Sequence, residues 1–594
     1  MSLRTVRTGL CLVVLGGVAL TGCSSTTSSN NALRVGTYGY LSTGPSTNYT
    51  FPLSADSQVN ETFQYQLYRP LYWIGGKGDG APLYNPTLSL AHAPVFTDGG
   101  RTVTVTLKHY NWSDGKPVTS RDVQFFMNLV KAEKDQWGGY VPGYFPDNII
   151  ATDAPSPNKV VFHLSHSYGR HSSWFLYNEL SQISPLPQQV WDKTSVNGAI
   201  GNYDNTVSGA VKVWKFLEGQ TVQLATYDTN PLWKVVDGPW HLSSFTQDGQ
   251  ITLVPNKQYS GPDKPTLQVF QELPFATATA ALNSLLASKS LDLASVPLED
   301  VKSQTAALKA AGYKIAAVAP WAINFIPINF HNATFGPIIS QLYVRQAFQS
   351  LIDQPSYIKA AFNGYAVPTY GPVPLEPKNP FTTASERANP YPFDPQKAIH
   401  LLREHGWAVA PGGVTKCVRP GSGPNMCGPH VPGGALMSFT LEYSSGSTSQ
   451  LNELQFLQGD LAKAGVQITL KPTNNLNYNP CTASQSDCSW QMVQGGTSWT
   501  YFPDVYPTGG EVFSTGAVGN PGSYSNSLVD HLVAAAHDGG LAPLRQLERY
   551  LAVQLPDLWL PVVSNVIVYK ANLRGIVPED SLGNIYPSTW RFGK

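Results

Sequence analysis

Apolar residues run almost unbroken from Gly9 to Leu20, behind the positive charges of Arg4 and Arg7. A dozen residues cannot span roughly 30 Å of bilayer hydrocarbon, so residues 1–22 are predicted to be a signal peptide. No other segment reaches 18 continuous apolar residues. Beyond it two periods alternate. Leu33–Gly36 is a predicted strand entering a loop rich in Ser, Tyr and Asn, and Asn60–Leu71 has helical spacing. Val103, Val105 and Leu107 alternate as a strand does. Asp114-Gly115 marks a turn, Thr119 or Ser120 a helix cap, and Val123, Phe126, Met127 and Val130 the apolar stripe that follows. Lys159–Leu164 reads as a strand and Trp174–Leu180 as a helix. The same alternation resumes at Leu267–Phe270 (strand), Thr277–Leu286 (helix) and Leu291–Ala294 (strand). Helices are predicted at Val344–Ile352, Pro395–Glu404 and Glu453–Ala464, and strands at Leu436–Glu442, Val466–Leu470 and Leu560–Tyr569.

Strands alternating with helices predict an α/β protein with mixed sheets. About 570 residues past the leader exceed one hydrophobic core, so two or more lobes are expected. No internal repeat is visible. Charged residues make up only 13% of the chain, about half the usual share of roughly 25%. Loss of Arg4 and Arg7 would leave 37 of the 39 basic residues against 39 acidic ones. A net charge near zero argues against a nucleic-acid partner.

Leu20-Thr21-Gly22-Cys23 resembles the lipobox of bacterial lipoprotein precursors. The resemblance implies diacylglyceryl modification of Cys23, anchoring to the outer face of the cell membrane, and a Ser/Thr/Asn-rich tether over residues 23–31. Four cysteines remain: Cys417, Cys427, Cys481 and Cys488. Their order suggests two short bridges, Cys417–Cys427 and Cys481–Cys488, among the three pairings that four cysteines allow. The first would clamp a Pro/Gly-rich insertion over residues 411–434. No Cys-x2-Cys spacing suggests zinc.

One longer segment is more specific. Asn111-Trp-Ser-Asp-Gly-Lys-Pro-Val-Thr-Ser-Arg-Asp-Val123 resembles the signature of the family 5 extracellular solute-binding proteins, peptide/nickel-type receptors of ABC importers. Gly238-Pro-Trp-His-Leu242, Pro255-Asn-Lys-Gln-Tyr259, Val344-Arg-Gln-Ala347, Phe393-Asp-Pro-Gln-Lys-Ala398, and Leu401-Leu402 through Gly406-Trp407 follow in the family's order. The signature itself reads as structural: a turn at Asp114-Gly115, a cap at Thr119 and a core side chain at Trp112.

The resemblance implies a two-lobed fold of the type II periplasmic-binding-protein kind, with a small additional domain. The first lobe is expected over residues 32–268, including a subdomain at about 77–225. The second lobe is expected over residues 269–556, and residues 557–594 return to the first. It further implies a monomeric receptor that captures an oligopeptide by hinge closure and hands it to permease and ATPase subunits. No cofactor or metal is implied. No nucleotide motif occurs, so ATP hydrolysis would belong to a partner.

Peptide-binding relatives carry a segment like Trp-x-Ala-Asp-Tyr-Pro-Asp-Pro, whose first Asp pairs with the peptide's ammonium group. Here Trp499-Thr-Tyr-Phe-Pro-Asp504 puts Tyr501 or Phe502 in place of that Asp. Trp499, Tyr501 and Asp504 are therefore candidate ligand contacts, with Tyr38 and Tyr40 after the first strand, and Trp321 and Asn324 before Phe325–Phe330. The missing Asp keeps open a non-peptide solute: a sugar, an opine or a metal chelate. A secreted hydrolase is a rival class, but neither a Gly-x-Ser-x-Gly elbow nor a His-Glu-x-x-His motif occurs. His163, His166 and His171 follow no ligand spacing. A sensory or adhesive lipoprotein without an importer is a further alternative.

Overall fold

Leu33 and Val35 alternate inward on the strand Ala32–Tyr38, which lies at the centre of a seven-stranded mixed sheet. The computed structural model describes residues 32–38, 64–76, 80–137, 140, 143–168, 173–247, 249–473, 489–495, 499–502, 504–517, 519–576 and 580–593. The expected signal peptide, Cys23 with its tether, Tyr40, His171, Cys481 and Cys488 lie outside these residues. So does the start of the expected helix Asn60–Leu71, of which Gln64–Leu67 is helical.

The sheet runs in the order Tyr313–Val318, Asn565–Lys570, Leu293–Ser295, Ala32–Tyr38, Val269–Phe275, Ile251–Pro255, Trp240–Phe245. Its centre is parallel, where Ala32–Tyr38 pairs with Leu293–Ser295 and Val269–Phe275, and its outer pairs are antiparallel. The buried carboxylate of Asp292 ties three distant segments together. It accepts the Arg34 N–H at 2.7 Å and holds the Lys570 ammonium at 2.6 Å.

This topology corrects the lobe boundary. The first lobe was expected to end near 268, yet three strands between 269 and 318 bond into its sheet. The crossing falls between Val318 and Ala322, because Ala322–Ile326 is the first strand paired with second-lobe segments. The apolar run Leu560–Tyr569, expected as one strand, belongs to three. Leu558–Leu560 pairs with Asn324–Ile326, Val562–Val563 with Ala366–Val367, and Asn565–Lys570 with the first-lobe sheet. Pro561, which has no N–H, stands at the first break.

A four-stranded antiparallel sheet, Val95–Thr97, Thr102–Thr106, Lys159–Leu164 and Ile149–Ser156, is covered by the helix Ser120–Ala132, and the helix Val207–Thr221 packs on that helix. Val103 and Val105 on the sheet and Val123, Phe126, Met127 and Val130 on the helix Ser120–Ala132 are fully buried. The second lobe holds a parallel three-stranded sheet in the order Gln467–Thr473, Ser438–Ser444, Met492–Gln494, with the helix Thr448–Ala462 against it. That helix starts five residues before its predicted start, where the Ser447 hydroxyl accepts the Gln450 N–H at 3.3 Å.

The signature segments bind one another. Asp122 accepts the Thr119 N–H at 2.7 Å, the Gln188 N–H at 3.2 Å and the Trp112 indole N–H at 3.4 Å. Ser113 donates to the Val236 carbonyl, and Asn256 donates through Nδ2 to the Gly238 carbonyl at 2.9 Å. Gly238 is required where it stands, since a Cβ there would lie 2.4 Å from the Gln66 carbonyl oxygen. The structural reading of the signature therefore holds.

Cys417 and Cys427 are bridged, and both are buried in the second-lobe core. Closing so short a loop contributes about 3 kcal/mol in the chain-entropy model. Replacing both cysteines by serine is expected to remove about that much stability, read as a lower denaturation midpoint for the second lobe.

Candidate ligand-binding site

Between the lobes, beside the second crossing, lies a cavity of about 480 Å³. The first lobe contributes Ser295 to Glu299, the second Asn324, Gln494 and the start of the helix Thr448–Ala462, and the crossing itself Val563 to Val566. The volume lies within the roughly 300–1,000 Å³ of small-molecule pockets.

Side-chain amides fix one wall. Gln450 donates to Gln494, Gln494 donates to Asn324 Oδ1 at 3.4 Å, and Asn324 donates to the Pro561 carbonyl at 2.8 Å. The relay thus connects the helix to the crossing. Glu453 also lines the cavity while being 1% exposed, and its Oε1 has no hydrogen-bond partner. Burial pushes its carboxyl up to about 8.

A second constellation closes the seam between the subdomain and the second lobe. Trp174 stacks on His537 with ring centres 4.3 Å apart. The Tyr506 N–H donates to Asn178 Oδ1 at 2.7 Å. Burial pushes His537 down to about 3, so the imidazole is neutral. Asp504 and Glu511 hydrogen-bond carboxyl to carboxyl; burial and their mutual repulsion hold Asp504 well above the carboxylate range, and burial raises Glu511. Glu179 reaches this seam from the subdomain, 1% exposed and accepting from Asn148, and burial pushes it up to about 8.

The residues singled out in the sequence fall into different places. Asn324 is on the cavity wall. Trp499 is half-buried on a short strand paired with Ile323, and its buried indole N–H has no acceptor. Asp504 is half-buried at the seam. Tyr501 and Trp321 are core residues instead of cleft walls. Both are fully buried, with the Tyr501 hydroxyl on the Pro372 carbonyl and the Trp321 indole N–H on the Val505 carbonyl at 2.8 Å. The backbone of Tyr38 pairs with Phe275 in the central sheet. Of the cavity's polar residues, Asn324 alone is a candidate of the sequence; Glu453, Gln494, Gln450 and Ser564 are among those it does not single out.

Two α/β lobes joined by two crossings, with a polar cavity walled from both sides, define a bilobal binding protein. The chain belongs to the bacterial extracellular solute-binding proteins, family 5, whose middle-region model matches residues 85–518. A protein of Brucella ovis named as a candidate ABC transporter peptide-binding protein is 23% identical over 408 residues, covering 68% of this chain and 62% of that protein. The chain therefore spans less than two thirds of the length of the curated relatives it matches first. The fold is shared with the oligopeptide-binding protein AppA of Bacillus subtilis, solved with a nonapeptide: TM-score 0.64, 20% identity, 95% of this chain and 99% of that one. The periplasmic EDTA-binding protein EppA superposes with TM-score 0.71 at 16% identity, over 95% and 96% of the two chains. Among the described residues, no helix is long and apolar enough to cross a membrane.

Glu179 makes stability depend on pH. Its carboxyl is raised in the folded protein from 4.5 to about 8, so across that window the folded state keeps a proton that the unfolded chain has released. Stability is then lost as pH rises through the window. Tyr144, Asp504 and Asp538 share its surroundings, with His166 beside Asp538. Thermal melts should show the wild type losing more Tm between pH 6 and pH 9 than Glu179→Gln does.

Proposed function

We propose that this protein is the receptor component of an ABC importer and that it captures a peptide-like solute in the interlobe cavity for delivery to a membrane permease. The observation that carries this is a polar cavity whose wall is shared by the first lobe, the second lobe and the crossing between them. A solute bound there touches both lobes only when they are closed. Its affinity for the closed form exceeds that for the open form, and binding shifts the equilibrium. The family of extracellular solute-binding proteins and the relative named for peptide binding support the role. Acylation at Cys23 would hold the monomeric receptor at the outer face of the membrane.

One observation favours a second reading, a non-peptide solute such as a sugar, an opine or a metal chelate. Where peptide binders place the carboxylate that meets the ammonium group, this chain has Tyr501, sealed in the core on the Pro372 carbonyl, or Phe502. The EDTA-binding neighbour shows that the same fold can hold a solute of another kind.

Native mass spectrometry of the purified protein is expected to show a small-molecule adduct that identifies the class, and adding that solute should contract the X-ray scattering profile. No adduct together with unchanged profiles would overturn the proposal. Gln450→Ala, which alters the cavity wall, is expected to weaken binding of the identified solute at least tenfold, about 1.4 kcal/mol, with Tm maintained. Titration calorimetry reads this directly, and unchanged affinity would count against the cavity as the site.

A further inference from the structure

The interlobe cavity contains a carboxylate that the protein itself does not satisfy. Glu453 projects from the same helix as Leu454, Leu457 and Leu461, all buried in the second-lobe core. A carboxyl group in such a setting is costly unless a donor or a cation meets it. Several other buried carboxyls accept a hydrogen bond. Glu179 has Asn148, Asp237 has the Arg69 N–H, and Glu548 has the Val373 N–H. Glu272, in the central sheet of the first lobe, is raised by burial alone and does not line the cavity. Among the described residues no donor reaches Glu453.

The rest of the wall points the same way. The lining residues include a second carboxylate, Glu299, but no lysine, arginine or histidine. Hydroxyls and amides from Ser295, Ser447, Ser449, Gln494 and Asn565 complete it, and these can accept as well as donate. Without a solute, burial favours the protonated Glu453 carboxyl. An ammonium group brought against it favours the ionised form, which a solute lacking positive charge does not, and an anionic solute would also face Glu299. An organic cation bearing N–H groups supplies both the charge and the donors. No group of three or more metal-type ligands occurs among the described residues, which disfavours a metal ion as that cation.

We infer that the solute is cationic and seats a protonated amine against Glu453, with Glu299 adding to the field. This rests on reading the cavity as the solute site. It places the charge-reading group on the helix Thr448–Ala462, away from the 499–504 segment that the family resemblance singles out.

The test uses the full-length protein and two tetrapeptides, Ala-Ala-Lys-Ala and the amine-free N-acetyl-Ala-Ala-norleucine-Ala, with 1,4-diaminobutane as a third probe. Wild type, E453Q and E511Q are compared by titration calorimetry, with melting temperatures showing that each variant folds. The lysine peptide is expected to bind the wild type at least tenfold more tightly than the amine-free peptide, and E453Q should reduce that ratio below threefold. If both peptides bind but the ratio is near one in the wild type, or survives E453Q and collapses in E511Q, the inference falls while the receptor reading stands. If neither peptide binds but diaminobutane does, and E453Q abolishes that binding, the inference stands and the peptide reading falls. Binding of none of the three probes would overturn both.

Discussion

The second crossing constrains everything else in the molecule. Within thirteen residues, Leu558 to Lys570, the backbone bonds first to a second-lobe strand, then to Ala366–Val367, then to the central sheet of the first lobe. Pro561 cannot donate to a ladder, so a break is imposed there, and its carbonyl is taken by the Asn324 side chain. Two glutamines stiffen the approach. Gln349 donates to the Trp559 carbonyl at 3.1 Å and accepts its N–H at 2.9 Å, and Gln354 donates to the same carbonyl at 3.2 Å. The lobes are thus held firmly up to the residues on either side of the crossing. Ser564 and Asn565 line the cavity at that point, so a solute in contact with them bears on the geometry that sets the angle between the lobes.

Much of this was legible in the chain, for local reasons. Strand alternation at Val103 and Val105, the cap at Thr119 and the helix Pro395–Glu404 opened by Asp394 rest on short-range chemistry that sequence records directly. The lobe boundary does not. Whether Leu293–Ser295 joins the first sheet or starts a second depends on a pairing with Val35 some 260 residues away, and a short apolar strand carries no mark of its partner. The run at 560–569 is apolar throughout because every part is buried, which hides that its parts belong to different sheets.

The site was harder to read than the fold. Trp321 and Tyr501 were attractive because large aromatics with a polar tip serve binding sites and cores equally well. What separates the two roles is whether the tip meets a backbone carbonyl, and both do. Asn324 was within reach because it is a polar residue in an otherwise apolar stretch, the middle of the buried strand Ala322–Ile326, where its side chain must find partners. Glu453 was not, since glutamate is common on helix surfaces and only the burial of its helical neighbours makes it exceptional.

The seam between subdomain and second lobe shows how the protein deals with polar groups on a surface that the proposed hinge motion would wet and dry in turn. Isolated charges would make every closure costly, since each must leave water. Here the charges are cancelled in place. His537 is held neutral by its surroundings and meets Trp174 as a flat ring, while burial favours protonation of the Asp504–Glu511 pair and of Glu179. The surfaces remain polar enough to face water when apart, yet bring little net charge into contact when together. Glu453 differs in having no hydrogen-bond partner for its Oε1, so the protonated carboxyl that burial favours there has no donor to meet it once it ionises. A cation entering the cavity would favour release of that proton and pair with the carboxylate in the closed form, which gives closure a dependence on the solute that apolar contact alone would not supply.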